Sequence, residues 1–412
     1  MLRPILEIYI VWHPNDCGGQ MVAEVVFDHF HGTLFSGLMG GAVETYSRSE
    51  PWKTHKGPPR AIPFDGSPVV DGMLAAELIV IVPVLGIQLA REVQEADGPW
   101  FDYLTDLVAR EQLNPERVRI MPVSIDSSSR GDTTLGKLFG EYQQLSTTKD
   151  AGTGKHGEVF CRDLSQAIAQ FAGNAAEQRI TVFVSHTKRS GRQDGATVVA
   201  LVDSVRRLIA DTRLASFFDA QDLQVGSRWA ETLRTRAASS AFLGLRTELY
   251  ASREWCQKEI RIAKLSGMPV VILEALQTSE ERGSFLMDHV PRVAAHELGG
   301  MWNDDHIRAA LSLLVDECLK RVLWKRQHAV SAGVEGLEVD WWAPHAPEAL
   351  TLVQWLTEAN DSVFHDGVIR ILHPDPPLGS DEQEVLQQVV SLTRKGTILD
   401  MMTPRMLAVR GL

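Results

Sequence analysis

The stretch RITVFVSHTKRSG, residues 179–191, decides how the chain is organised. Its apolar and β-branched first half is typical of a buried strand, and it passes directly into polar loop residues. A helix pattern, DGATVVALVDSVRRLIADT, follows at 194–212. A buried strand, a polar loop and an amphipathic helix in this order predict one repeat of an α/β fold with a parallel sheet.

The same alternation continues after this first repeat. A polar loop at 220–227 separates the next strand from its helix. The patterns predict strands at 214–219, 240–245 and 268–274, and helices at 228–239, 252–266 and 303–327. Regular alternation of this kind favours a parallel sheet that is covered by helices on both faces.

The regions on either side also alternate between strands and helices. Before residue 174 we predict strands at 6–14, 43–47, 76–84 and 117–125, helices at 19–32, 99–111 and 163–173, and a loop or linker at 126–158. After residue 333 we predict strands at 337–344, 367–375 and 397–404, and helices at 347–359 and 380–396. The predicted domains are therefore 1–173, 178–328 and a small α/β region at 334–412.

Length, charge and cysteine usage limit the class of protein. A chain of 412 residues is too long for one core, so two or three domains are expected. The net charge of −12 argues against a general nucleic-acid binder and against a binder of anionic membranes. The four cysteines form no CxxC pair and predict buried free thiols in a reducing cytosol, with neither a disulfide scaffold nor a metal site: Cys17, Cys161, Cys256 and Cys318.

The longest apolar run is LIVIVPVLGIQLA, residues 78–90. Pro83 and Gly86 interrupt it, and it is shorter than the ~18–20 residues that a membrane helix needs. The N-terminus has no signal-peptide layout. These features predict a cytoplasmic protein with no membrane partner, and a buried strand with its loop at 78–90.

Three stretches of the middle segment resemble the TIR (Toll/interleukin-1 receptor) domain, especially its bacterial NAD-consuming members. They are VFVSH at 182–186, FFDAQDLQVGSRWAETL at 217–233 and YASREWCQKEI at 250–260. Their order and spacing carry a likeness that covers 179–328, about a third of the chain. The resemblance implies a flavodoxin-like fold, in which ligands bind beyond the carboxyl ends of the strands.

The resemblance also implies that Glu259 is the catalytic glutamate of an NAD-cleaving enzyme. Cleavage of the N-glycosidic bond expels neutral nicotinamide, so a carboxylate near the ribose can stabilise the oxocarbenium-like charge without a metal or cofactor. Trp255 lies four residues earlier, on the same helical face, where its ring would supply a stacking surface. The structural alternative is a core tryptophan beside an ordinary solvated glutamate.

Other substrate-binding candidates surround the ends of the first two strands of the middle segment. We expect NAD⁺ as substrate to contact Phe183, Ser185, His186, Lys188 and Asp219. Four of them have a structural alternative: a core position for the phenylalanine, a capping or turn role for the serine and histidine, and a loop cap for the aspartate. Cys256 lacks a His or Asp partner in register and is not expected to be a nucleophile.

The first segment can be aligned with the middle one. IYIVWHP matches TVFVSHT, and PWFDYLTDLVARE matches REWCQKEIRIAK. The alignment pairs Trp100 with Trp255 and puts Leu104 where the middle segment has Glu259. Leucine cannot ionise or accept a hydrogen bond, so a TIR-like domain without catalysis is predicted. Two unrelated α/β domains remain the alternative.

Together these features predict a cytoplasmic effector of bacterial anti-phage defence that hydrolyses NAD⁺ to nicotinamide and ADP-ribose or a cyclic isomer. The resemblance implies activation by self-association, in which the BB loop near 220–227 joins copies into a filament or ring. A TIR scaffold without turnover is the alternative from another class. A cyclic product that signals to a partner, and an upstream sensor, also stay open.

Overall fold

The structure is a computed structural model, and it is described here for the major part of the chain. The described residues are 4–32, 35, 43–51, 57–64, 76–147, 157–173, 179–187, 194–217, 240–280, 282–331, 336–359 and 367–410. The chain divides into two compact units. The first unit comprises Met1–Ala176 and Val322–Gly333, and the second comprises Glu177–Arg321 and Val334–Leu412.

The first unit is built on a parallel sheet with the strand order β2-β1-β3-β5-β6, and β4 also pairs with β3. Its strands are β1 (Leu6–Val11), β2 (Val43–Arg48), β3 (Leu78–Leu85), β4 (Val118–Ile120), β5 (Val123–Ser124) and β6 (Leu145–Ser146). Its helices are α1 (Cys17–Phe30), α2 (Ile87–Glu92), α3 (Pro99–Leu113), α4 (Thr134–Phe139) and α5 (Glu158–Ala172).

The apolar runs of this unit become its central strands. Every residue of β1 and β3 is buried, as expected for strands that helices cover on both faces. Leu6 lies opposite Val43 on one side and Leu78 on the other, so β1 occupies the middle of the sheet.

Two predictions for this unit were wrong in detail. The strand predicted at 117–125 is two short strands, β4 and β5. The stretch 126–158, predicted as loop and linker, contains α4 and β6. The helix forms there because the Thr133 side chain accepts a hydrogen bond from Gly136 N (2.9 Å), while Leu135 and Phe139 are buried one turn apart.

The second unit repeats the same topology. It contains β7 (Thr181–Ser185), α6 (Asp194–Ala210), β8 (Ala215–Phe217), β9 (Ser240–Arg246), α7 (Glu254–Leu265), β10 (Val270–Glu274) and β11 (Arg292–Ala294). The parallel strands lie in the order β8-β7-β9-β10-β11. In both units the second strand lies at one edge of the sheet and the first strand lies next to it. The third and later strands follow on the other side of the first strand. The predicted flavodoxin-like α/β class is confirmed.

The edge of the second sheet was not predicted from sequence. β11 forms this edge beside β10, and a separate two-stranded antiparallel sheet of β12 (Glu297–Leu298) and β13 (Met301–Trp302) follows in sequence. These strands have two or three residues and largely exposed side chains, so they lack the apolar run by which the central strands were recognised. The helix α8 (Asp304–Ser331) follows.

The α8 helix contributes to both units. Its residues up to Arg321 belong to the second unit, and those from Val322 belong to the first. Within the first unit, Arg326 Nε donates to the Ala172 carbonyl at 2.5 Å, so the end of α8 is tied to the end of α5.

Residues 336–359 and 367–410 form a small α/β layer within the second unit, and the range 336–410 is named here the C-terminal region. Its elements are β14 (Trp341–Trp342), α9 (Ala349–Glu358), β15 (Val368–Leu372), α10 (Ser380–Thr393), β16 (Ile398–Met402) and α11 (Pro404–Val409). The three strands are parallel in the order β14-β15-β16. An observed strand or helix lies in each range predicted for this region, but the strand predicted at 337–344 is only Trp341–Trp342 and α11 was not predicted. The predicted status of the region as a separate domain stays a prediction.

The described residues also bear on membrane insertion and metal binding. No helix among them is long and apolar enough to cross a bilayer. The same part of the chain holds no group of three or more His, Cys, Asp or Glu side chains placed to bind a metal ion. The four cysteines are free; three are buried, and Cys17, which was expected to be buried, is exposed.

Candidate functional site

Glu259 lies on α7, the helix that follows the central strand β9. Its side chain points into the second unit and only 2% of the residue is exposed. Ordinary helical glutamates are solvated, so this burial requires polar partners. One such partner comes from β7, whose last residue, Ser185, stands at the carboxyl end of the sheet.

A chain of hydroxyl groups ends on this carboxylate. Ser185 Oγ donates to Glu259 Oε2, and the Tyr250 hydroxyl lies 2.7 Å from Ser185 Oγ. A serine hydroxyl has one proton, so when Ser185 donates to Glu259 it accepts from Tyr250. The order of donation is therefore Tyr250 to Ser185 to Glu259. All three residues are buried.

Tyr250 is held in its protonated form. Its burial raises the pKa of the phenol well above 10, and the neighbouring Cys256 and Glu259 groups raise it further. A phenol that stays protonated remains able to donate to Ser185. The approach of the ring depends on Gly244, which pairs with Ser185 across the sheet, since a Cβ there would lie 3.1 Å from the Tyr250 hydroxyl.

Apolar side chains surround this polar chain. Phe183 is buried and stacks on Phe242 with ring centroids 5.6 Å apart. Both rings belong to one cluster with Tyr250 and Cys256, beneath α7. A carboxylate in such surroundings interacts strongly with any positive charge that reaches it, because the local dielectric constant is low. Cys256 is buried and its thiol points to the His186 carbonyl at 3.8 Å.

His186 and Thr187 are the two residues that follow the end of β7 in sequence. The His186 ring is partly buried, with Nδ1 3.2 Å from the Thr187 carbonyl. Thr187 is 4% exposed, and within the described part of the chain its buried Oγ1 atom has no hydrogen-bond partner. An unsatisfied buried hydroxyl is costly, so one at the carboxyl end of a central strand is a candidate ligand contact.

Trp255 differs from Glu259 in its surroundings. Although the two residues are one turn apart on α7, Trp255 is 44% exposed and Glu259 is buried. The predicted stacking surface beside the carboxylate stays a prediction, because it requires a ligand or another chain to cover this ring. Lys188, Asp219 and the loop 220–227 lie outside the described residues.

Sequence reasoning identified Glu259, Ser185 and Phe183, which the structure brings together, but missed Tyr250 and Thr187. Tyr250 opens the quoted stretch at 250–260, and its position just after a strand was the available signal. A buried tyrosine in such a place is more often simply a core residue, so the pattern alone did not single it out.

The first unit has apolar residues at the positions aligned with this site. Trp100 and Leu104 on α3 are both buried in the core that covers its sheet. Trp12, aligned with Ser185, is also buried. Neither side chain has a hydroxyl or a carboxylate, and the non-catalytic role expected for this segment stays a prediction.

Comparisons with known proteins do not assign the chain to a family. A scan against protein-family models found no matching family, and a search of curated proteins found no significantly similar sequence. The likeness to TIR domains thus rests on the three quoted stretches and stays a proposal.

Proposed function

We propose that the second unit is a TIR-type NAD⁺ glycohydrolase of a cytoplasmic anti-phage effector, with Glu259 as its catalytic carboxylate. The observation that carries the proposal is the hydrogen bond from Ser185 to Glu259. It joins the quoted first strand to the quoted helix at the carboxyl end of a parallel sheet, where flavodoxin-like folds bind ligands.

The chemistry requires little from the protein besides position and charge. As the bond between C1′ and the pyridinium nitrogen lengthens, positive charge moves to the ribose, and an ionised Glu259 would stabilise it. Water then adds to C1′ and releases a proton, which gives nicotinamide, ADP-ribose and H⁺. Ser185 and Tyr250 would hold the carboxylate in place, and Thr187 would donate to or accept from the substrate.

Burial of Glu259 supports a resting state of low activity. At 2% exposure in a single chain, the carboxylate needs a rearrangement before a dinucleotide can reach it. Self-association through the loop near 220–227 is the proposed cause, because a head-to-tail contact can complete the site of one copy with residues of the next.

The test is release of nicotinamide from NAD⁺ by the concentrated, assembled protein. Glu259→Gln should abolish release, while Glu254→Gln on the same helix should keep it. Glu254 is the matched control because its side chain is 82% exposed and pairs with Lys258. Equal release from both variants would remove Glu259 from the mechanism. Chromatography of the products separates ADP-ribose from a cyclic isomer.

A scaffold without turnover is the second candidate, and a specific observation favours it. Glu259 is closed off while the Trp255 ring is exposed, an arrangement that suits a protein contact better than a sugar site. Under this alternative, Trp255→Ala should weaken assembly in sedimentation velocity, and no concentration of the wild-type protein should release nicotinamide.

A further inference from the structure

The C-terminal region is attached to the helix that carries Glu259. Lys264, in the last turn of α7, is 4% exposed, which is rare for a lysine. Its ammonium group donates to the carbonyl oxygens of Leu286 (3.0 Å) and Asp288 (2.8 Å) and to Glu348 Oε2 (2.7 Å). All three protons of the ammonium are therefore used, and one of them is bound by the C-terminal region.

Glu348 reaches this position because it caps the N-terminus of α9. It is 9% exposed, and its backbone N–H donates to Thr351 Oγ1 at 3.2 Å. Within the described residues, its second oxygen, Oε1, is buried without a hydrogen-bond partner. A buried ion pair with one unsatisfied oxygen is a weak source of stability. It does, however, fix the place where α9 meets α7.

Apolar contacts reinforce the same junction. Leu350, in the first turn of α9, packs against the cluster that contains Phe183, Tyr250 and Ile260. Gly267, at the turn after α7, is in the left-handed conformation (φ +63°), and a Cβ there would lie 3.5 Å from Pro344 Cγ. The C-terminal region thus contacts both the end of α7 and the apolar surroundings of the candidate site.

We propose that Lys264 and Glu348 are positioning residues for the candidate active site, so that docking of the C-terminal region on α7 sets the position of Glu259. Lys264 lies five positions after Glu259, or about 7.5 Å along the helix axis. Ser185 holds α7 at its middle, and Glu348 holds it near its C-terminal end. The expected effect on nicotinamide release rests on the proposed function, whereas the expected effect on the stability of α7 does not.

The experiment compares Glu348→Ala with Glu358→Ala in the full chain. Each substitution removes a carboxylate at one end of α9, but Glu358 is exposed and its described side-chain contact is with Gln354 of the same helix. Hydrogen exchange at 254–265 should rise about tenfold in Glu348→Ala and stay at the wild-type rate in Glu358→Ala. Nicotinamide release should show a kcat about tenfold lower with KM unchanged, because neither residue touches the substrate.

Two further variants cover the case in which Glu348→Ala fails to fold. Glu348→Gln keeps an acceptor for Lys264 and should restore part of both readouts. The double variant Lys264→Met with Glu348→Leu removes both charges; it should fold, because an apolar pair of similar volume can replace a buried ion pair. Its α7 amides should exchange faster than those of the wild type, since the contacts of Lys264 with residues 286 and 288 are lost as well.

The outcomes separate this inference from the proposed function. Faster exchange at 254–265, with no nicotinamide release from any protein including wild type, would uphold the coupling and reject the enzyme. Faster exchange confined to 336–410 would overturn the coupling. A rise in turnover in Glu348→Ala would also overturn it, because the contact would then restrain the site rather than position it.

Discussion

The Ser185 hydroxyl donates to the Glu259 carboxylate across 74 residues of sequence. This contact joins the end of β7 to the middle of α7, and it places a carboxylate in an apolar environment at the carboxyl end of the second sheet. Its consequences for stability and for catalysis can be measured separately, because the first needs no substrate.

Ser185→Ala should lower both stability and turnover. The variant leaves the buried Glu259 without its serine donor, which should cost about 1–3 kcal/mol in the free energy of unfolding. Nicotinamide release should fall by about 10- to 100-fold, because the carboxylate loses its fixed position. Urea unfolding and a turnover assay measure the two effects. Ser252→Ala, which alters an exposed hydroxyl that donates to the Leu249 carbonyl, should change neither.

Tyr250→Phe should show a pH-dependent loss of stability relative to wild type. At pH 7 it should be less stable by about 1 kcal/mol, since it loses the hydrogen bond to Ser185. Because the folded state raises the pKa of Tyr250, the wild-type advantage is complete below about pH 10 and declines as the pH rises above it. Urea unfolding at pH 8 and pH 10.5 tests this; a difference that stays constant or widens would contradict it.

Thr187→Val should separate ligand binding from folding. Valine has nearly the same shape as threonine and removes a buried hydroxyl that lacks a partner in the described structure, so stability should rise by about 1 kcal/mol. If that hydroxyl contacts the dinucleotide, KM for NAD⁺ should increase severalfold. Thermal unfolding with and without NAD⁺ gives both numbers. A clear loss of stability would show that the hydroxyl is bonded within the protein.

His345→Gln should make the second unit less sensitive to mild acid. Burial lowers the pKa of His345 to about 4, and the positive charge of Arg321 contributes. Between about pH 6.5 and pH 4 the unfolded chain binds a proton here that the folded chain does not. Wild-type stability should therefore fall with decreasing pH by up to about 1.4 kcal/mol per pH unit from this group alone.

The His345→Gln variant should lack this component. The wild type should therefore lose stability relative to the variant as the pH falls from 6.5 to 4. Above pH 7 the two curves should run parallel, which provides the internal control. Parallel curves over the whole range would show that this histidine titrates normally in the folded protein.

The parallel sheets were predictable because burial on both faces leaves long apolar runs. The strands β1, β3 and β7 were each located within a few residues for this reason. Elements that gain their stability from a few contacts were missed. The strand Arg292–Ala294 is short and mostly exposed, and α4 lies in a stretch rich in Ser, Thr and Gly.

The site was predictable only in part, because a sequence pattern indicates which face of a helix or strand a residue lies on but not which residues it contacts. Helical spacing put Trp255 and Glu259 on one face, yet one is exposed and the other buried. Tyr250 and Lys264 had no distinguishing pattern, since their roles depend on contacts with residues 65 and 84 positions away. Such long-range pairs are set by the tertiary fold.

The division of the first unit into Met1–Ala176 and Val322–Gly333 has a consequence for protein synthesis. A ribosome makes this chain from its N-terminus at about 5–20 residues per second, so the segment that Arg326 attaches to α5 emerges well after the rest of that unit. In the interval, the strands β7 to β11, which form the five-stranded sheet of the second unit, have been translated. The first unit is thus begun first and completed only after the second sheet has been made.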